Sequence, residues 1–209
     1  MIARRLARFT ISGFVALSAF SAVGAASSPS DARIPVTVSS ARVSIAGTSN
    51  IHDYTASTTN VRVVRLELAE AVGGPNVWDE IVKPGVIDSF EVAIAAGSLS
   101  SPREGIDKNM HKALKVSEFP VITFRLIRFD GGEPGLLHAT GTLKIAGVER
   151  EIALNLTTER HDATFTVKGA VTLLMTDYGI TPPKALMGVL KTNPKVTVTF
   201  ETVLVIPFT

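Results

Sequence analysis

The chain has 209 residues, with 21 Lys and Arg against 19 Asp and Glu, and it has no cysteine. Arg4, Arg5 and Arg8 are the only charged residues among the first 26, so residues 27–209 carry 18 basic and 19 acidic side chains, a net charge of −1. Such a near-neutral domain lacks the basic surface typical of nucleic-acid binding. Without cysteine it forms no disulfide and depends on its hydrophobic core for stability.

The first 26 residues have the layout of a secretory signal peptide. Three arginines precede an apolar run from Phe9 to about Phe20, and small residues follow as far as Ala26. This order is typical of exported proteins, and the run is shorter than the roughly 20 residues that span a bilayer. We expect cleavage after Ala25 or Ala26, which releases residues 27–209 into a bacterial periplasm with no stable membrane span.

Most of the remaining chain alternates apolar and polar residues, which is the pattern of β-strands with one buried face. The alternation starts within residues 34–47 and 55–68 and recurs to the end of the chain, in segments rich in β-branched residues and Phe. The predicted inward-facing side chains are Phe90, Val92, Ile94, Ile122, Phe124, Leu126, Leu143, Phe165, Val167, Val171, Leu173 and Phe200.

Short turns separate these segments. Residues 129–135 (FDGGEPG) link two strands, residues 145–151 predict a tight hairpin centred on Ala146 and Gly147, and residues 71–76 (AVGGPN) are another break. About eight strands joined in this way predict an all-β antiparallel meander, which must close or protect its edges. We therefore expect an extended, lipocalin-like β-barrel, with a β-sandwich as the alternative.

Residues 101–120 are predicted to contain one short helix. Ile106, Met110, Ala113 and Leu114 recur at helical spacing, and a proline lies near each end of the segment. We expect the helix to lie over one end of the barrel or across its outside. Its apolar face either packs on the sheet or contacts a ligand.

A second irregular segment, residues 175–194 (MTDYGITPPKALMGVLKTNP), is too long for a hairpin turn. Loops of this length often act as lids or binding elements. We expect it to be a long capping loop, and a surface excursion that buries a few residues over the sheet is the alternative.

The stretch GTSNIHDYTA, residues 47–56, places Ser49, His52 and Asp53 within five positions, and these are the residue types of a hydrolase triad. Adjacent side chains of an extended chain point to opposite faces, so this segment alone cannot aim Asp53 at His52. We interpret the residues as the polar start of an early strand. The histidines, at positions 52, 111, 138 and 161, lack metal-site spacing, so we predict no catalytic residue, metal or cofactor.

Four blocks together resemble the YceI-like family of exported, polyisoprenoid-binding proteins. They are IDKNMHKALKVSEFPVITFRL (106–126), ATGTLKIAGVEREIALNL (139–156), TDYGITPP (176–183) and GTSNIHDYTA itself. Many members begin with a His-Ser-x-Val-x-Phe strand, where this chain has NIHDYTAS. The resemblance implies a lipocalin-like barrel that encloses an isoprenoid or other acyl-type lipid, without catalysis.

We therefore expect a non-enzymatic periplasmic protein that binds, sequesters or transports an amphiphilic lipid with a polyisoprenoid, quinone-like or fatty-acyl chain. The inward-facing residues named above, with Met110 and Leu114, are the predicted contacts of the chain. Asp107, His111 and Tyr178 are the predicted contacts of its head group. A structural or stress-response protein with a filled barrel and a protein partner is the alternative, followed by a hydrolase that uses His52. A homodimer is compatible with the sequence.

Overall fold

The computed structural model describes residues 36–68, 76–133, 135–185 and 189–205, and antiparallel β-strands dominate these ranges. Residues 1–26, the expected signal peptide, and 71–75, most of the predicted break, lie outside them. The strands are β1 Thr37–Ser49, β2 Asp53–Thr58, β3 Val61–Leu68, β4 Ile87–Ala95, β5 Val121–Gly131, β6 Leu136–Ile145, β7 Val148–His161, β8 Thr164–Leu174, β9 Lys184–Ala185 and β10 Leu190–Val205.

The strands form one curled sheet. Its order is β2-β1-β10-β8-β7-β6-β5-β4-β3, with the two-residue β9 paired to β10. The sheet curls until β1 and β3 come into contact, although no hydrogen-bonded ladder joins them in the described ranges. This arrangement confirms the predicted all-β, antiparallel, lipocalin-like fold, and the sandwich alternative is wrong because there is no second packed sheet in this part of the chain.

Alternation along the strands produces the inner face as predicted. In β6, Leu137, Ala139 and Leu143 are buried, whereas Leu136 and His138, on the opposite face, are exposed. The β6–β7 connection is the expected tight hairpin. Ala146 and Gly147 have φ values of 49° and 83°, and positive φ at both central residues gives the turn the twist that matches its flanking strands.

Two α-helices, α1 Val77–Ile81 and α2 Glu104–Ala113, and two 3₁₀ segments, Ala96–Ser98 and Met175–Tyr178, complete the described structure. Helix α2 is the helix predicted within residues 101–120. Among the described residues, no helix is long and apolar enough to cross a membrane.

Helix α1 was not predicted, and it closes one end of the curled sheet. Val77, Trp78 and Ile81 are buried there against Phe165. The surrounding residues come from the start of β1, the end of β3, the start of β4 and the end of β10, which all meet at this end. Helix α1 therefore covers the interior at this end of the sheet.

The segment 175–194 differs from the predicted loop. Its first four residues form a 3₁₀ turn, Lys184–Ala185 pairs with Leu190 and Lys191, and β10 already begins at Leu190. Its last five residues therefore belong to a strand. The prolines and glycines had suggested a loop, but antiparallel pairing with β9 extends the strand into this region.

Candidate functional site

A cavity of about 400 Å³ lies at the end of the sheet opposite α1, and helix α2, residues 175–183 and the start of β10 contribute to its wall. The strands contribute aliphatic side chains from their ends at this side of the molecule, and α2 contributes the apolar face predicted from its sequence. The apolar lining residues are Ile45, Ile106, Met110, Ala113, Leu114, Ile122, Ile145, Leu173, Leu174, Met175, Ile180, Pro183, Leu190, Val196 and Val198.

The polar lining residues carry little charge. They are Ser49, His52, Tyr54, Arg103, Asn109, Tyr178 and Thr192. Among the described residues no Asp or Glu lines the cavity, and Arg103 is the lining residue with a permanent charge. Arg103 and Asn109 are exposed and mark the side of the cavity that opens to solvent, which we call the mouth. In the described ranges Arg103 forms no ion pair. The mouth therefore favours a neutral or anionic group over a cation.

The turn between β1 and β2 forms one edge of the cavity. Ser49 Oγ donates to the His52 carbonyl at 2.7 Å and accepts from the His52 backbone N–H at 3.1 Å. The Asn50 side-chain amide donates to the Val189 carbonyl at 2.8 Å, and its oxygen accepts from the Lys191 N–H at 2.7 Å. These bonds join the turn to the start of β10. Ser49 is thus occupied by backbone groups and not by the His52 imidazole, which a triad would require.

Tyr178 lines the cavity and carries a buried, unpartnered hydroxyl. Its side chain is 3% exposed, and its buried hydroxyl has no hydrogen-bond partner among the described residues. Burial raises the pKa of this hydroxyl, the negative charge of Asp177 raises it further, and Arg150 opposes them. The phenol therefore stays protonated at neutral pH, and its O–H is a hydrogen-bond donor that no described residue accepts.

Local backbone geometry holds Tyr178 in this position. Strands β7 and β8 pair between Leu156–His161 and Thr164–Gly169. The part of β8 after Gly169 therefore pairs with β10 alone. The 3₁₀ turn contacts β7, β8 and β10 next to this gap. Gly179, at φ 64°, ends the turn, and the Ile180 N–H returns to the Met175 carbonyl at 3.0 Å. The residue at that point must adopt a left-handed backbone conformation, which favours glycine.

Met110, Leu114, Ile122, Leu173 and Tyr178 are the predicted site residues that line the cavity. The other predicted side chains lie elsewhere on the inner face. Val92, Ile94, Phe124, Leu143 and Val171 belong to the core around the cavity, Leu126 packs near Phe129, and Phe165 and Val167 pack near α1. Phe90 and Phe200 are half-buried on β4 and β10.

Asp107 and His111 do not line the cavity, in contrast to their predicted role as head-group contacts. Asp107 Oδ1 accepts a hydrogen bond from the Ser101 N–H at 2.8 Å, and His111 Nε2 lies 2.8 Å from the Leu99 carbonyl. Both side chains therefore hold α2 against the segment that precedes it. Arg103, Asn109, Ser49 and His52 occupy the mouth instead, and sequence reasoning did not single them out as contacts.

The described residues contain no cluster of three or more His, Cys, Asp or Glu side chains suited to a metal ion. The site consists of apolar side chains with a few hydrogen-bonding groups. Such a surface supplies apolar burial and little reactive chemistry.

A curled antiparallel sheet with an apolar cavity at one end is typical of lipocalin-like binding proteins. The chain matches the YceI-like domain over residues 36–204, and it therefore belongs to the YceI-like family. No curated protein sequence matches it.

Two solved structures show the same fold. BcnA from Burkholderia cenocepacia is 15% identical, with a TM-score of 0.60 over 78% of this chain and 95% of BcnA. A polyisoprenoid-binding domain from Saccharophagus degradans, described as implicated in plant cell wall breakdown, is 14% identical. Its TM-score is 0.57 over 83% of this chain and 99% of that domain. At these identities the likeness concerns the fold alone.

Proposed function

We propose that this protein binds an amphiphilic lipid with its apolar chain in the cavity under α2, and that it sequesters or carries the lipid in the bacterial periplasm. The observation that carries the proposal is the cavity itself. Its volume of about 400 Å³ lies within the usual range of ligand pockets, and its wall is overwhelmingly apolar. Membership of the YceI-like family and the fold shared with a polyisoprenoid-binding domain support the same class of ligand.

The free energy of binding would come mainly from the chain. Each buried methylene contributes roughly 0.8 kcal/mol, so a chain that fills the cavity binds through apolar contact alone. The polar groups at the mouth and the Tyr178 hydroxyl can then orient the other end of the ligand. The absence of acidic residues from the described cavity wall suits a carboxylate or another anionic head, with Arg103 as its nearest permanent charge.

Export is part of the proposal and rests on the sequence of residues 1–26. It is tested by expressing the full chain in a bacterium, fractionating the cells and determining the first residue of the purified protein. We expect a periplasmic protein that starts at Ala26 or Ser27. A cytoplasmic protein that retains Met1 would contradict this part.

Lipid binding is tested by organic extraction and mass spectrometry of that protein, together with displacement of a fluorescent fatty acid. The test variant is Ala113→Trp, which places a large ring in the cavity wall. The matched control is Ala153→Trp on the exposed face of β7. We expect a lipid in the parent and in the control and a loss of binding in Ala113→Trp. A parent that binds no lipid would overturn the proposal, and so would a folded Ala113→Trp variant that binds like the parent.

A further inference from the structure

We propose that the cavity selects its ligand by chain length, and that Phe124 and Phe200 form the floor that sets the limit. The inference rests on the proposed lipid-binding function and names the ligand more closely. It would be a single chain of about 16 carbons, in the range of a common fatty acyl group and far shorter than a long polyprenyl chain.

The cavity stops partway along the inner face of the sheet. On β10, Val196 and Val198 line it, but the next residue on the same face, Phe200, does not. On β5, Ile122 lines it and Phe124 does not. The same change occurs on β8 between Leu173 and Val171. The boundary therefore crosses three strands, and it lies one inner-face residue deeper on β10 than on β8, because Val198 lines the cavity and its partner Val171 does not.

Two aromatic rings lie just beyond this boundary, Phe200 on β10 and Phe124 on β5, and each covers a glycine. A Cβ atom at Gly169 would collide with the ring of Phe200, and one at Gly141 would collide with the ring of Phe124. Each ring thus lies directly on the backbone of a neighbouring strand, in a position that only a residue without a side chain allows. The glycines hold the two rings at a defined depth.

Below the floor several inner-face side chains are buried, whereas others, such as Leu126, Leu156 and Val167, are half-buried. Leu154 is 8% exposed, Phe129 8%, Phe165 7% and Trp78 2%. Helix α1 then closes the far end of the sheet. A chain that enters under α2 would therefore meet this packed cluster before it reached the far end.

The volume gives the expected length. An engineered protein cavity of about 150 Å³ holds one benzene molecule, which has six carbons. In the same proportion, the cavity of about 400 Å³ accommodates about 16 carbons. A longer chain would have to leave its excess methylenes in water, where they add nothing to the affinity.

The test measures binding of saturated fatty acids of eight to twenty-four carbons by competition with a fluorescent fatty acid. We expect the affinity of the parent to rise by up to roughly four-fold per methylene and to level off near sixteen carbons. Phe200→Ala should move this limit to longer chains by several carbons, and Phe124→Ala should do the same. Phe119→Ala is the matched control, because its ring also lies on a glycine, Gly147, but it lies outside the cavity lining.

Each result decides between the two proposals. A parent that binds no fatty acid of any length but yields another lipid on organic extraction retains the lipid-binding function and overturns the fatty-acyl ligand. A parent that yields no lipid and binds no fatty acid removes the lipid-binding function itself. A parent whose affinity keeps rising to twenty-four carbons retains that function but overturns the floor. A limit that stays in place in a folded Phe200→Ala or Phe124→Ala variant also overturns it. If either alanine variant fails to fold, Phe200→Leu and the length series of the parent still decide the question.

Discussion

The indole ring of Trp78 stacks on the ring of Phe165, with centroids 5.0 Å apart and planes inclined by 8°. Trp78 lies on a five-residue helix, too short to be stable alone, so its packing against β8 holds the helix at the end of the sheet. We predict that Trp78→Ala lowers the free energy of unfolding by about 3–5 kcal/mol, measured by denaturant titration. Binding of short fatty acids should persist, because the cavity lies at the opposite end. An unchanged unfolding midpoint would contradict this assignment.

The Tyr178 hydroxyl should have opposite effects on stability and on binding. An unpartnered buried polar group costs about 1–3 kcal/mol, so Tyr178→Phe should leave the ligand-free protein equally stable or more stable. The same change should weaken the binding of a fatty acid by up to roughly ten-fold, because we expect the bound carboxyl group to accept the hydrogen bond of this hydroxyl. Thermal unfolding and calorimetric titration measure the two quantities. Lower stability with unchanged affinity would show that the hydroxyl serves the fold alone.

Arg103 should set the preference for the charge of the head group. Arg103→Glu places a negative charge at the mouth. It should lower the affinity for a fatty-acid carboxylate by roughly five- to ten-fold at low salt. The alcohol of the same chain length should bind as before, and the difference should shrink at high salt. Arg125→Glu, on the outer face of β5 and away from the cavity lining, is the control. Equal losses for acid and alcohol would count against a charge interaction.

The two tyrosines should titrate at unusually high pH. Burial raises the pKa of Tyr54 and of Tyr178 in the folded protein. A group whose folded pKa exceeds its unfolded value contributes stability below the unfolded pKa, near 10, and loses it as the pH rises through the folded pKa. We predict little tyrosinate absorbance at pH 10 in the folded protein, an increase on unfolding, and falling stability above that pH. Half-ionised tyrosines in the folded protein at pH 10 would refute the prediction.

Alternation predicted which side chains face inward, but it did not predict their depth. Phe165 and Ile122 both lie on the inner face, yet one packs beside α1 and the other lines the cavity. Depth depends on how far each strand is displaced along its neighbours, and that register is set by pairing between distant segments. The pattern therefore identified the fold and the apolar face of α2, while the choice of lining residues remained open.

The polar part of the site was harder to predict for a related reason. His52 and Ser49 reach the cavity because Asn50 bonds to Val189 and Lys191, residues far away in the chain. Arg103 reaches it because α2 crosses the same end of the sheet. Helix α1 was missed because five residues are too few for a periodic apolar pattern to be recognised.

Because α1 covers the far end of the sheet, the position of the opening determines how a ligand enters and leaves the cavity. In the described ranges the cavity opens beside α2, so a lipid bound as proposed would enter with its apolar chain first and leave with its head group first through that opening. The head group is then always the part presented to the surroundings, and an acceptor would have to meet the protein at α2 and the turn around Asn50.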